Sequence, residues 1–292
     1  MTALSRIALP PPQIVAIAGP DAVAFAQAQF SSNLAELANG HWQWSAWLSA
    51  QGRVRAFFHL LRDDDEHLRL VLRGGSATCL RDALARYVLR AKVTLRASEQ
   101  AGAFVQRQAE NDDGRAGSPQ AKRIEYGSGT GAIILPGSPP RRLVLHDADG
   151  ATIDADASEA ARNENRVADI DAGLVTLAPA LEDKLLPAWI GLDALGATST
   201  NKGCYPGQEI VARLHFKGGN KRRLHRIAFE ATQLPGPGAS FGNEGGESGL
   251  IVCAAWSAPG TGAALAVLVD GTVDRLRGFI SPAMTMRSIE VS

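Results

Sequence analysis

Residues 42–61 read WQWSAWLSAQGRVRAFFHLL, and this run constrains the fold more than any other part of the chain. Along Trp42–Leu48 apolar side chains fall at alternate positions. That is the period of a strand, whose successive side chains point to opposite faces. Ser49-Ala50-Gln51-Gly52 forms a four-residue turn, and Arg53–Leu61 is the returning strand. The pair predicts an antiparallel hairpin. Trp42 and Trp44 share one face and Trp47 takes the other. Packing in the core and at its rim is the expected role of all three, a stacking wall for a flat ligand the alternative.

The flanking segments extend this hairpin into a sheet. Ile14–Ala18 reads as a strand, and Gly19-Pro20-Asp21 as a turn whose Asp21 caps a helix over Ala22–Phe30. Asn33–Leu37 suits one further helical turn. His67–Leu72 alternates again, Thr78–Leu89 has helical spacing, and Lys92–Leu95 is a short strand. The order β-α-β-β-β-α-β predicts an α+β fold with a mostly antiparallel sheet. Gln108–Ala121 is a polar excursion; Ile133–Leu135 and Leu143–His146 are strands; Glu159–Ile170 is a helix capped by Ser158. Near the end the texture changes. Arg222–Glu230, Gly249–Trp256, Ala263–Val269 and Met286–Val291 are short apolar runs around a Gly- and Pro-rich stretch, Leu234–Gly249. They predict a small β-barrel or sandwich. The expected boundary lies at Gly218-Gly219, separating residues 1–217 from residues 218–292.

Composition removes several function classes. Lys plus Arg and Asp plus Glu each number 30, so charge gives no global reason for a nucleic-acid partner, and direct binding of nucleic acid is not expected. The cysteines, Cys79, Cys204 and Cys253, are odd in number and lack a CxxC spacing. That argues against a disulfide framework or a cysteine-based zinc site. The opening residues lack the layout of a signal peptide. No run of roughly 18 apolar residues offers a membrane span. A cytoplasmic location without membrane attachment is therefore expected. Neither GxxxxGK[ST] nor HExxH occurs, and no His/Cys/Asp group has metal-ligand spacing, so no metal is expected.

The densest candidate for chemistry is Asn201–Arg213, NKGCYPGQEIVAR. Gly203 and Gly207 flank a Cys-Tyr-Pro turn, and EIVARL has helical pattern from Gln208 onward. Cys204 is thus placed just before a helix N-terminus, where the helix dipole and free N–H groups favour an anion. Lys202 adds positive charge if it points the same way. Both effects make Cys204 a candidate reactive thiol, with burial as a small hydrophobe the plainer account. For Cys79 and Cys253 that plainer account is the expected one. The Glu209 carboxylate can accept two N–H bonds side by side, which suits an amino-pyrimidine edge; it equally favours the first turn of its own helix. Downstream, Arg213, Lys217, Lys221, Arg222, Arg223 and Arg226 form the one strong basic cluster. A solvated face is its expected role, contact with phosphates or a poly-carboxylate tail the alternative.

The octapeptide KGCYPGQE resembles the signature of the YgfZ family, relatives of the aminomethyltransferase (T-protein) of the glycine cleavage system. Further stretches agree in order: Ala24–Gln29, Leu48–Val54 (LSAQGRV), Tyr87–Val93 (YVLRAKV), Asp169–Gly173 and Leu186-Pro187. Ala28 stands in place of the family's Gly, and Asn33 where an Asp is common. The resemblance implies an aminomethyltransferase-like, folate-binding α+β region of two lobes with a small C-terminal β-barrel closing a ring. It implies tetrahydrofolate, or a derivative, in the central hole. It also implies an accessory role in building or repairing iron–sulfur clusters in client proteins, including tRNA-modifying enzymes. By the same resemblance Lys202 and Cys204 match the functional pair, and Gly203, Tyr205, Gly207, Gln208 and Glu209 complete the folate motif. A monomer is expected. The alternative within the same fold is a folate-dependent aminomethyltransferase.

Overall fold

The computed structural model describes residues 6–98, 102–107, 122–127, 130–146, 154–242, 248–270, 280–281 and 284–287. The first part runs β1 (Arg6–Ala8), β2 (Ile14–Ala18), α1 (Ala22–Gln29), β3 (His41–Leu48), β4 (Val54–Arg62), β5 (His67–Leu72), α2 (Ala77–Ala85) and β6 (Thr94–Ser98). Apart from β1 this is the predicted order, and β2 and β5 match residue for residue. Next come β7 (Gly102–Arg107), β8 (Lys122–Arg123), β9 (Glu125–Gly127), β10 (Thr130–Leu135), β11 (Arg141–His146) and α3 (Glu159–Asp171). Then α4 (Gln208–Lys217) leads into β12 (Arg222–Glu230), β13 (Ser240–Gly242), β14 (Ser248–Ala258), β15 (Thr261–Val269), β16 (Ile280–Ser281) and β17 (Met284–Arg287). The predicted excursion Gln108–Ala121 lies outside the described residues.

Three antiparallel sheets result. One has the order β6-β2-β5-β4-β3-β8, the second β1-β7-β11-β10-β9, and the C-terminal one β13-β14-β15-β12-β17-β16; one of the sheets curls into a half-barrel. In the first, the predicted hairpin pairs Ser45 with Phe58 and shifts register beside Trp47. Its pattern is simple alternation in β3 but nearly continuous apolar sequence in β4, and the reason is burial on both faces. Trp42, Trp44, Phe57 and Leu61 face the large core shared with Leu143, Leu174 and Leu192. Trp47, Phe58 and Leu60 face Phe25, Leu80 and Leu84 of the two helices. Even Ser45 and His59 are fully enclosed. Trp44 stacks on Phe57 with centroids 5.1 Å apart and is 3% exposed, so the tryptophans pack the core and form no open stacking wall.

Two sheets are tied by a buried ion cluster. Asp169 of α3 lies 2.9 Å from Arg73, after β5, and 2.7 Å from Arg141 of β11. Arg141 also donates to Asn165 Oδ1 at 2.8 Å. Such a cluster fixes geometry more than it adds stability, because each charge loses its hydration.

Local expectation fails at Asp21. Its side chain makes no cap bond to α1. Instead its Oδ2 accepts from the Lys92 backbone N–H at 2.7 Å, joining the start of α1 to the approach of β6. By contrast Ser158 caps α3 as predicted, accepting from Ala161 N–H at 3.2 Å.

Candidate functional site

The segment preceding the KGCYPGQE motif lies along residues 30–33. Ser199 N–H donates to Ser31 O at 2.8 Å, and Ser31 Oγ donates to Ala197 O at 2.6 Å. This contact delivers Lys202 to a carbonyl cradle: its Nζ donates to Phe30 O at 2.6 Å and Ser32 O at 2.8 Å. The same ammonium lies 5.0 Å from the Tyr205 ring centroid, within cation–π range. Lys202 therefore points toward residues 30–32, and burial pushes its pKa down to about 8. Around this cradle Gln27 Oε1 accepts from Leu34 N–H, Gln27 Nε2 donates to Asn33 Oδ1, and Gln43 Nε2 donates to Ser32 Oγ. Gln27 lies in the family-like stretch Ala24–Gln29 and Gln43 in β3, but neither position by itself shows that it braces the cradle.

The turn itself is held from two sides. Tyr205 is buried; its hydroxyl donates to Ser199 O at 2.9 Å, and burial raises its pKa to about 12. Gln208 Nε2 donates to Lys202 O at 3.3 Å, closing the loop on itself. Gly207 precedes α4 with φ +78, and a Cβ there would lie 2.6 Å from Ser49 O and 2.7 Å from Gly52 Cα. Thus the β3–β4 turn and the KGCYPGQE turn meet backbone to backbone, a distance only glycine permits. Gly203 has open space around it.

Cys204 and Glu209 remain exposed on this rigid frame, Glu209 in the first turn of α4. Cys253 is largely withdrawn, and burial pushes its thiol up. Cys79, expected in the core, is exposed. In α2 the inward positions are Ala77, Leu80 and Leu84, and the helical step between them turns residue 79 outward.

Beyond the motif, α4 forms one wall of a cleft of about 530 Å³. Ile210, Val211 and Leu214 supply its apolar side, and Asp193, Thr198, Thr200, His215, Asn220 and Arg223 its polar groups. None of the seven motif residues lines the cleft, whereas Thr200 and Ile210, on either side of the motif in the chain, do. Sequence analysis does not single out Asp193 and the two threonines; the polar cluster Thr198-Ser199-Thr200 just before the motif is the nearest signal.

The tRNA-modifying protein YgfZ of Edwardsiella ictaluri is 30% identical over 276 residues, which cover 88% of this chain and 78% of that protein. The chain belongs to the YgfZ family. The tRNA-modifying protein YgfZ of Cronobacter sakazakii is 28% identical over 278 residues, 92% of this chain and 82% of its own. No family model matches the chain. Among solved structures, the glycine cleavage system aminomethyltransferase T of Bartonella henselae superimposes with a TM-score of 0.70 over 98% of this chain and 85% of that one. At 15% identity that likeness establishes the fold: this YgfZ-family chain has the aminomethyltransferase architecture in its α+β form.

Proposed function

We propose that this protein is a folate-binding accessory factor that supports iron–sulfur cluster assembly or repair in client enzymes, tRNA-modifying enzymes among them, in the cytoplasm. The observation that supports it best is an exposed thiol, Cys204, on a tightly held turn flanked in the chain by Thr200 and Ile210, two residues of a cleft of ligand size. A cleft of about 530 Å³ falls within the usual range for small-molecule sites. Its donor set suits a folate. The Asp193 carboxylate can accept paired N–H bonds from an amino-pyrimidine edge, and Thr198 and Thr200 can bond the ring heteroatoms. Ile210, Val211, Leu214 and Leu224 match the flat apolar body. Bound tetrahydrofolate supplies a carrier for one-carbon units.

In this reading Tyr205, Gly207 and Gln208 hold the turn, Lys202 locks it to residues 30–32, and Gly203 lets a partner approach the backbone. Cys204 presents its thiol to the client, and Glu209 offers an exposed acceptor beside it. Residues 1–217 form the folate-binding region in two lobes, and residues 218–292 form the C-terminal domain.

Calorimetric titration with tetrahydrofolate under anaerobic conditions tests the ligand. Saturable binding is expected for wild type and for Cys204→Ser alike; no binding by the wild type overturns the folate reading. Cys204→Ser should fold normally and fail to restore iron–sulfur enzyme activity in cells lacking the protein, and full activity in that variant removes the thiol from the mechanism. Turnover of an aminomethylated lipoyl carrier would assign the transferase activity instead.

A further inference from the structure

Residues 83–98 contain four cations, Arg86, Arg90, Lys92 and Arg96, and no acidic residue. All four are exposed, and among the described residues no carboxylate pairs with any of them. Two acids beside the segment are engaged otherwise: Asp82 pairs with Arg81 at 2.7 Å, and Asp21 Oδ2 accepts from the Lys92 backbone N–H at 2.7 Å. Exposure alternates along the segment. Arg90, Lys92, Thr94 and Arg96 are exposed, whereas Ala91, Val93, Leu95 and Ala97 pack on the core that holds Phe25, Leu80 and Leu84. Arg90, Lys92 and Arg96 therefore share one face of an extended chain, in which alternate residues stand about 6.5 Å apart. β6 is the edge of its sheet, so among the described residues no further strand covers it. At the head of this row Leu89 is 86% exposed, beside the half-exposed Tyr87. The segment is held firmly at both ends. The Tyr87 ring meets Trp47 edge-on at 6.0 Å, Leu89 N–H donates to Tyr87 O at 3.0 Å, and Lys92 is tied to Asp21.

We infer that Leu89 and this row of cations dock an extended acidic segment of a partner protein, one with carboxylates at alternate positions and an apolar side chain beside Leu89. The inference goes beyond the proposed function and does not depend on folate binding. An extended segment laid along an edge strand presents every second side chain to it, the same period as the cations. Basic side chains also keep edge strands from pairing with one another, but that role makes no use of a leucine held out in water. Leu89 also favours a protein over a nucleic acid. Bases stack on flat rings, and the Tyr87 ring is already packed against Trp47. The cations are solvent-exposed, so each pair contributes little alone and salt weakens the sum.

The test pans a random-peptide library displayed on phage against the full protein and measures the enriched peptides, made synthetically, by fluorescence polarisation. Enriched sequences should carry Asp or Glu at alternate positions around an apolar residue. Leu89→Ser should weaken their binding about tenfold, and the double variant Arg90→Glu/Lys92→Glu should abolish it. High salt should weaken binding by the wild type. Both variants change exposed side chains, so their urea midpoints should match the wild type and a loss of binding reads the surface rather than the fold. Failure to enrich any peptide, enrichment without acidic residues, or equal binding by wild type and both variants overturns the inference. Single-stranded RNA or phosphatidylserine vesicles that bind more tightly than the best peptide, with the same dependence on Arg90 and Lys92, assign the surface to nucleic acid or lipid and overturn the protein partner.

Discussion

Replacing Gly207 by alanine adds one methyl group where two turns meet. The backbone at this position has φ +78, in the left-handed region, where an L side chain costs about 1–2 kcal/mol. The new Cβ would sit 2.6 Å from Ser49 O and 2.7 Å from Gly52 Cα. Both are main-chain atoms of the β3–β4 turn, so neither can rotate away. Forcing them apart adds about 1–3 kcal/mol, the usual cost of an overpacked methylene, for a total of about 2–5 kcal/mol. Gly203, four residues earlier in the same motif, is the internal control. It meets nothing within 4 Å and has no positive φ, so Gly203→Ala should stay within about 0.5 kcal/mol of wild type. Urea unfolding reads both, as a shift in midpoint at constant slope. If Gly207→Ala unfolds at the wild-type midpoint, or if the two variants shift together, the backbone-to-backbone contact is not what holds the turn.

Three further outcomes follow from charge and packing. Asp169→Ala should lose about 3–5 kcal/mol, because it leaves the buried Arg141 and Arg73 without their shared carboxylate; a denaturation midpoint near wild type would count against the cluster. Trp44→Ala should lose about 3–5 kcal/mol through the cavity it opens against Phe57 and His59, measured the same way. Lys202 gives a pH signature. Its pKa is lowered from 10.5 to about 8, so the unfolded chain holds more protons above pH 8 and this group makes stability rise from about 8 toward 10.5. Tyr205, raised from 10.0 to about 12, has the opposite sign, contributing stability below 10 that is lost as pH rises toward 12. The difference in stability between wild type and Lys202→Met should therefore rise between pH 8 and 10, and a flat difference would show that the ammonium is not desolvated.

Much of the fold was written locally. Alternation along residues 42–48 and 67–72 is a short-range property, and so is the Ser158 cap on α3; each needs only neighbours in sequence to be recognised. The segments missed were those whose identity depends on a distant partner. β1 is three residues long and exists by pairing Arg6–Ala8 with Phe104–Gln106, a segment equally silent by itself. Asp21 looked like a helix cap because its own helix was the only partner in view, whereas the nearer donor in space is Lys92. Sequence places Cys79 in the core because it opens an amphipathic helix and free cysteines are commonly buried, and only the orientation of α2 turns it outward.

The candidate site divides in the same way. KGCYPGQE marked the place, the turn and the helix that follows, because glycine spacing and helical pattern are local. It could not tell where Lys202 points, since the carbonyls that hold the ammonium belong to Phe30 and Ser32, some 170 residues away in the chain. Nor could it show why position 207 must be glycine, because the atoms in the way belong to Ser49 and Gly52. The cleft, with Asp193 on one segment and Arg223 on another, exists only once α4 and β12 have packed against residues 187–200. Sequence determined the elements and the motif, since backbone hydrogen bonding and side-chain period act over a few residues. Tertiary structure decided which groups are enclosed, which face solvent and which meet, since burial and direction are set by atoms that sequence distance does not bring together.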